Sequence, residues 1–258
     1  MEKGDVEFMC AGTLALLYGQ GWKVYIATLT AGDCGSREIP PDVLSERRQE
    51  EAITSAKILQ GGYACLGESD FLIVYCRATL KTLTTLVRKI NPLLVFTHPC
   101  QDYMPDHENT ALLVQTVCLT APAPNFRASA PTGLLPATSK IPHLYHWDPL
   151  GLNYQGQPVW PGMVVDIRVT LAVKGEMLDC HETQRSRLLV QHGIDEYVGE
   201  MERWARERGQ LAGCSSAGEG FTQHLGHPFP QNNLLKETLD NLVWVAKKPD
   251  LPPGPLYF

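Results

Sequence analysis

Leu93-Leu-Val-Phe-Thr-His-Pro-Cys-Gln-Asp-Tyr-Met-Pro-Asp-His107 joins an uninterrupted apolar run to the densest polar segment of the chain. An apolar run without alternation is the character of a strand buried on both faces, the state of strands in a parallel sheet covered by helices. The upstream sequence repeats the pattern. Residues 7–18 place Phe8, Ala11, Leu14, Ala15 and Tyr18 at helical spacing, and 22–29 is rich in β-branched and aromatic residues. Residues 44–59 read as a helix with Asp42 or Ser45 as caps and Gly61-Gly62 as its stop, 71–75 as a short strand, and 79–90 as a helix with Leu80, Leu83, Leu86 and Val87 inward. Strand and helix alternate four times. The pattern predicts an α/β fold with a Rossmann-like, mostly parallel, doubly wound sheet and helices on both faces.

Beyond Thr120 the prolines at 122, 124, 131, 136, 142, 149, 158 and 161 exclude continuous helix, so a loop- and strand-rich C-terminal half is expected. There, 164–173 is strand-like, 190–206 an amphipathic helix and 251–258 a proline-rich tail. Without internal repeat or low-complexity tract, 1–258 reads as a single domain.

Composition limits the function. At 258 residues, 44% hydrophobic and 19% charged, the chain can bury a sizeable core, which excludes disorder and a disulfide-stapled miniature fold. A net charge of −6 from 28 acidic and 22 basic residues, with no basic block, disfavours nucleic acid and anionic membrane surfaces. Small neutral or polar substrates fit better. Eight cysteines with no Cys-x-x-Cys pair point to a reduced cytoplasm, and neither a signal segment nor a membrane span is expected.

In open parallel sheets the ligand sits at the carboxyl ends of the strands. That places His98, Asp102, Asp106 and His107 where chemistry is expected. Pro105 suits a first helical turn, so Asp106 and His107 open a helix while His98 ends a strand. By spacing alone the histidines are either metal or acid/base groups meeting over one small volume, or a strand cap and a solvated helix start. Asp5 and Glu7 alone read as a solvated helix start favoured by the dipole; Asp5 gains chemical meaning only with a partner.

Asp5-Val-Glu-Phe-Met-Cys-Ala-Gly-Thr-Leu-Ala, Thr30-Ala-Gly-Asp-Cys-Gly-Ser, Arg48-Gln-Glu-Glu-Ala and Asp102-Tyr-Met-Pro-Asp-His107 together resemble the LmbE-like, or PIG-L, family of zinc-dependent N-deacetylases. Val165-Asp-Ile, Met177-Leu-Asp-Cys-His-Glu-Thr-Gln184 and Gln191-His-Gly-Ile-Asp-Glu-Tyr197 extend the resemblance. It implies zinc held by Asp5 and His107, and a hydrolase that removes an N-acetyl group from an amino sugar such as GlcNAc or from a related N-acyl amine. His98 would polarise the carbonyl in place of Met104, which stands where many members carry His. Asp102 joins it as a catalytic group, and Arg48, Asp33 and His181 surround the substrate. Arg48 reads alternatively as a surface arginine beside Glu51, Asp33 as a turn residue and His181 as structural.

The family signature His-Pro-Asp-Asp-x-Glu falls on Glu2, Lys3, Gly4, Asp5 and Glu7, so one metal ligand and the general base are replaced. Two readings follow from this departure. Either the first strand and the signature's start are missing from a shortened enzyme, the favoured reading, or the protein has lost its chemistry. The chain as written is then expected to retain zinc weakly and to hydrolyse little. The rival function is a catalytically dead binding or scaffold protein that holds a polar ligand or packs into a homo-oligomer.

Overall fold

The computed structural model describes residues 4–130, 133–151, 156–157, 159–185, 197–212 and 217–246. The first helix, α1 (Asp5–Gly19), is buried from Val6 through Leu17, because it is packed between strands and a second helix layer rather than laid on a surface. It is followed by β1 (Tyr25–Thr30), α2 (Pro41–Ile58), β2 (Gly62–Glu68), α3 (Arg77–Ile90), β3 (Leu94–Thr97) and α4 (Pro105–Thr120). The connections β1–α2–β2 and β3–α4–β6 are crossovers, and β1 pairs β2 in parallel while β3 pairs β6 (His143–Trp147) in parallel.

The C-terminal half adds antiparallel strands. After the short pair β4 (Ser129–Ala130) and β5 (Gly133–Leu134) come β6, β7 (Met163–Asp166), α5 (Leu171–Asp179), α6 (Tyr197–Leu211), β8 (Gly218–Gln223), α7 (Leu234–Leu239) and β9 (Val243–Val245). The larger sheet runs β3-β6-β8-β7-β9, and β1-β2 forms a separate pair. The α/β architecture expected from the alternation is present, with its parallel pairings in β1–β2 and β3–β6. No helix among the described residues is long and apolar enough to cross a membrane.

Three local expectations fail for identifiable reasons. The strand after α2 is 62–68, not 71–75. Its residues Gly-Tyr-Ala-Cys-Leu-Gly-Glu have little β-propensity of their own, and pairing with β1 determines their state. The apolar run 71–75 is irregular because the Asp106 carboxylate takes the backbone N–H of Phe71 and of Ile73 at 2.7 and 3.3 Å, leaving Leu72 and Val74 exposed. The strand expected at 164–173 stops at Asp166, whose carboxylate accepts the backbone N–H of Arg168, and α5 starts at Leu171. α2 begins at Pro41 after Pro40, with no side-chain cap from Asp42 or Ser45. Residues 190–196 of the predicted amphipathic helix and the tail 251–258 lie outside the described residues.

The core includes an internal polar post. Lys174 and Glu219 are buried together, Nζ to Oε1 at 2.5 Å, and the Glu219 carboxylate also accepts the backbone N–H groups of Gly12 and Thr13 in the middle of α1. This ties α1, α5 and β8 to one another beneath the site.

Candidate metal centre

β3 ends at Thr97, so His98 is the first residue of the loop at its carboxyl end. α4 opens with Pro105, and the backbone N–H of His107 bonds Met104 O in its first turn. α1 starts at Asp5. The three elements meet at one end of the fold, where Asp5 Oδ2 lies 3.5 Å from His98 Nε2 and 3.4 Å from His107 Nε2. The two imidazoles stack at 3.9 Å between centroids, and Trp147 packs edge-on against His98 at 4.7 Å.

These residues fit a divalent cation. Asp5 Oδ2, His98 Nε2 and His107 Nε2 are buried and make no hydrogen bond, a costly state for polar atoms unless something else coordinates them. Donors about 2.0–2.1 Å from a tetrahedral zinc stand about 3.3 Å apart, which the Asp5 separations approach. Burial, with His107 adding, drives the pKa of His98 well down, so His98 is a neutral imidazole. Burial also works against a charge on His107, but Asp102 and Asp5 on its two nitrogens overcome this and raise its pKa to about 10.

Of the residues picked out in the sequence, Asp5, His98 and His107 therefore come together, with His98 among the ligand-type atoms rather than apart from them. Asp102 stands behind His107, Oδ1 to Nδ1 at 3.0 Å, and also accepts the backbone N–H of Met104 at 3.1 Å. Met104 is the buried N-cap residue of α4.

Arg48 is not a surface residue. At 1% exposure its guanidinium donates to Gly32 O at 2.9 Å and to Gln184 Oε1 at 2.8 Å, tying the 31–36 loop to the segment after α5. Glu51 instead accepts the backbone N–H and hydroxyl of Thr183. Asp33 accepts the backbone N–H of Asp70 at 2.8 Å and braces that loop, and Asp33, Cys34 and Asp70 bring ligand-type atoms within 4.8 Å of one another. His181 is buried with Glu7, Nε2 to Oε1 at 3.2 Å, and Glu7 also accepts the Ser55 hydroxyl at 2.6 Å. Burial raises the pKa of Glu7, but His181, with the hydrogen bond from Ser55 and one from the backbone, offsets it and the net direction is down.

Gly4 adopts φ +102°, and a Cβ there would sit 2.9 Å from the Tyr197 hydroxyl and 3.9 Å from His181 Cγ. Backbone conformation and tyrosine together exclude a carboxylate side chain at this position as the chain is folded. Glu2, Lys3 and His192 lie outside the described residues.

Other contributors escaped the sequence. Ser55 reaches Glu7 from α2, an element remote in sequence. His146 is buried and its Nδ1 lies 2.7 Å from His98 O, holding the backbone of that loop. Glu219 turns to Lys174, and His224 packs against Phe229 at 4.3 Å, away from the Asp5–His98–His107 point.

Fold and site define an α/β protein that presents two histidines and one aspartate at the carboxyl ends of its parallel strands. Residues 3–118, a little under half of the chain, match the family model described as PIG-L, GlcNAc-PI de-N-acetylase, the family that the sequence resembles. A curated relative, 4-oxalmesaconate hydratase of Pseudomonas putida, is 25% identical over 131 residues, 48% of this chain. The chain spans about half, 51%, of that relative's length.

Two solved structures share the fold at TM-score 0.70: N,N'-diacetylchitobiose deacetylase from Pyrococcus horikoshii, 24% identical over 90% of this chain and 85% of that one, and GalB, the 4-carboxy-2-hydroxymuconate hydratase of Pseudomonas putida, 21% identical over 90% and 95%. A conserved protein from Thermus thermophilus reaches the same score at 21% identity over 89% and 94%. At these identities the three similarities establish the fold.

Proposed function

We propose that the chain is a zinc-binding amide hydrolase that acts slowly on an N-acetylated amino sugar or a related small N-acyl amine. The observation that carries this reading is the convergence of Asp5, His98 and His107 on one buried point with their ligand atoms unpaired. A divalent cation held there supplies Lewis-acid polarisation of an acyl carbonyl and acidifies water. Asp102 fixes the ring of His107, and Trp147 packs the ring of His98. Arg48 holds the glycine loop against the segment that carries His181 and Gln184, shaping the wall a polar substrate would meet. The family's position for the proton-accepting carboxylate is Gly4, and this is the reason turnover is slow.

A second reading, a binding protein on the same framework, is favoured by the Tyr197 hydroxyl in the space a base would occupy. One experiment separates them. The purified chain is dialysed and its metal content measured, and acetate release is followed over a panel of N-acetylated sugars beside water addition to an unsaturated dicarboxylate, the chemistry named for the hydratase relative. Stoichiometric zinc with slow acetate release supports the hydrolase, and both are lost in His107→Ala. Metal without turnover of any substrate supports the binding protein, and turnover confined to the dicarboxylate assigns a hydratase. Acetate release persisting in the metal-free chain would remove His107 from its role.

A further inference from the structure

We infer that Asp33, Cys34 and Asp70 form a second divalent-cation site, one that takes a thiophilic ion such as zinc and clamps together the loops at the carboxyl ends of β1 and β2. Each of the three brings a ligand-type atom within 4.8 Å of the other two. β1 ends at Thr30 and its parallel neighbour β2 at Glu68, so the two loops leave the sheet on the same side. The cluster shares no residue with Asp5, His98 and His107. Asp106, next to His107 in the chain, gives its carboxylate to the N–H groups of Phe71 and Ile73 and joins neither group.

Two observations separate this cluster from an ordinary acidic turn. The first is the state of Asp70. It is 3% exposed, and its Oδ2 accepts the Cys34 N–H at 3.1 Å, which turns the carboxylate toward that residue. Its Oδ1 is buried with no hydrogen-bond partner, a costly state for a carboxylate oxygen. The ion pairs of the described residues all engage other carboxylates. A cation satisfies this oxygen and offsets the charges of Asp33 and Asp70 together.

The second observation is spacing. Zinc holding sulfur at about 2.3 Å and oxygen at about 2.1 Å in a tetrahedron sets the two donors about 3.6 Å apart. Cys34 Sγ stands 3.6 Å from Asp33 Oδ1. Its other contact is Asp70 O at 3.9 Å, so the sulfur is held by nothing strong. Donor type then selects the ion: a thiolate among carboxylates favours zinc, cobalt or cadmium over magnesium and calcium, which take oxygen ligands. Cys34 is exposed and gives up its proton on binding. With three protein ligands the fourth position falls to water, and the exposed edge makes this the weaker of the two sites, filled in excess metal and cleared by dialysis. A bound ion stiffens the 31–36 loop against which Arg48 packs. The inference stands apart from the proposed reaction.

Cobalt titration of the reduced chain tests it, because a thiolate ligand gives cobalt an intense near-ultraviolet charge-transfer band and the Asp5–His98–His107 group contains no sulfur. The parent should bind two equivalents, with the band growing in alongside the weaker one. Cys34→Ser, a change at an exposed side chain, should keep one equivalent and lose the band, whereas His107→Ala should keep the band. Asp33→Asn and Asp70→Asn each retain an acceptor for the backbone N–H they bond, and should weaken the band-forming equivalent by at least the roughly 10-fold that losing even an indirect partner of a metal costs. No band in the parent, a band surviving Cys34→Ser, a band lost with His107→Ala, or an unchanged midpoint in both carboxamide variants would each overturn the inference, whatever becomes of the first site.

Discussion

Asp102 Oδ1 stands 3.0 Å from His107 Nδ1 while Nε2 of the same ring faces Asp5 Oδ2 at 3.4 Å. One nitrogen of the imidazole is thus oriented by a carboxylate and the other aimed at the shared point with Asp5 and His98. A ligating histidine is commonly positioned in this way, its far nitrogen held so that tautomer and ring angle are fixed.

Asp102→Asn should therefore lower affinity for divalent cations by about 10–100-fold, with little change in the unfolding midpoint. Competition against a chelating indicator measures the first and chemical denaturation the second. Unchanged affinity would make Asp102 a loop residue only.

The buried Lys174–Glu219 pair supports the same site from below. Lys174→Met leaves a carboxylate enclosed with only the N–H groups of Gly12 and Thr13, and should destabilise the fold by about 3–5 kcal/mol. Adding Glu219→Gln should recover part of this, because the uncompensated charge disappears while the acceptor for α1 remains. Urea titrations of Lys174→Met, Glu219→Gln and the double variant decide it, and a loss in the double variant equal to the sum of the single losses would count against a charge-based origin.

How far the site was legible follows from how local its parts are. The 98–107 segment stands out as a polar run at a strand end, and the family resemblance marks Asp5 and His107 as ligands and His98 as a carbonyl-polarising group, so all three could be picked out before any coordinates. That His98 turns its Nε2 to the same point as His107 depends on the path of the loop between them, which no periodicity encodes. Ser55 and His146 come from other elements, and each looks like an ordinary residue in its own segment. The same limit explains the displaced strand: 62–68 is a strand because β1 lies beside it, whereas in the more apolar 71–75 the N–H groups of Phe71 and Ile73 go to Asp106. Helices such as α3, whose apolar face is carried by its own residues, were readable to within a few positions.

Asp148 gives a pH test away from the site. Burial raises its carboxyl pKa, the nearby Arg208 at 3.2 Å opposes this, and the balance lies at about 7 against a usual 3.8. The folded chain therefore holds this proton more tightly than the unfolded one. Its contribution to stability is full below about pH 4 and is lost as pH rises through about 7. Asp148→Asn has no such proton, so the variant should gain on the parent between about pH 4 and 7 and then run level, by on the order of 4 kcal/mol at most. The measurement is the difference in unfolding free energy between the two proteins at each pH. A flat difference would show that Arg208 keeps Asp148 ionised throughout.

The glycine loop over Arg48 offers a test of close packing. A Cβ at Gly35 would meet Arg48 Nη2 at 2.6 Å, and one at Gly32 would meet Arg48 Cδ at 2.7 Å. The arginine is 1% exposed and bonded at Gly32 O and Gln184, so it has nowhere to withdraw. Gly35→Ala should cost about 1–3 kcal/mol through overpacking. Gly32→Ala should cost more, because Gly32 has φ +77° and alanine there adds backbone strain of about 1–2 kcal/mol. If the guanidinium is what alanine meets, removing it must relieve the clash: in an Arg48→Ala background, Gly35→Ala should be close to neutral, whereas Gly32→Ala should retain its backbone part. A double-mutant cycle by chemical denaturation reads this coupling directly. Additive losses at Gly35 would place the obstruction in the loop backbone instead of in Arg48.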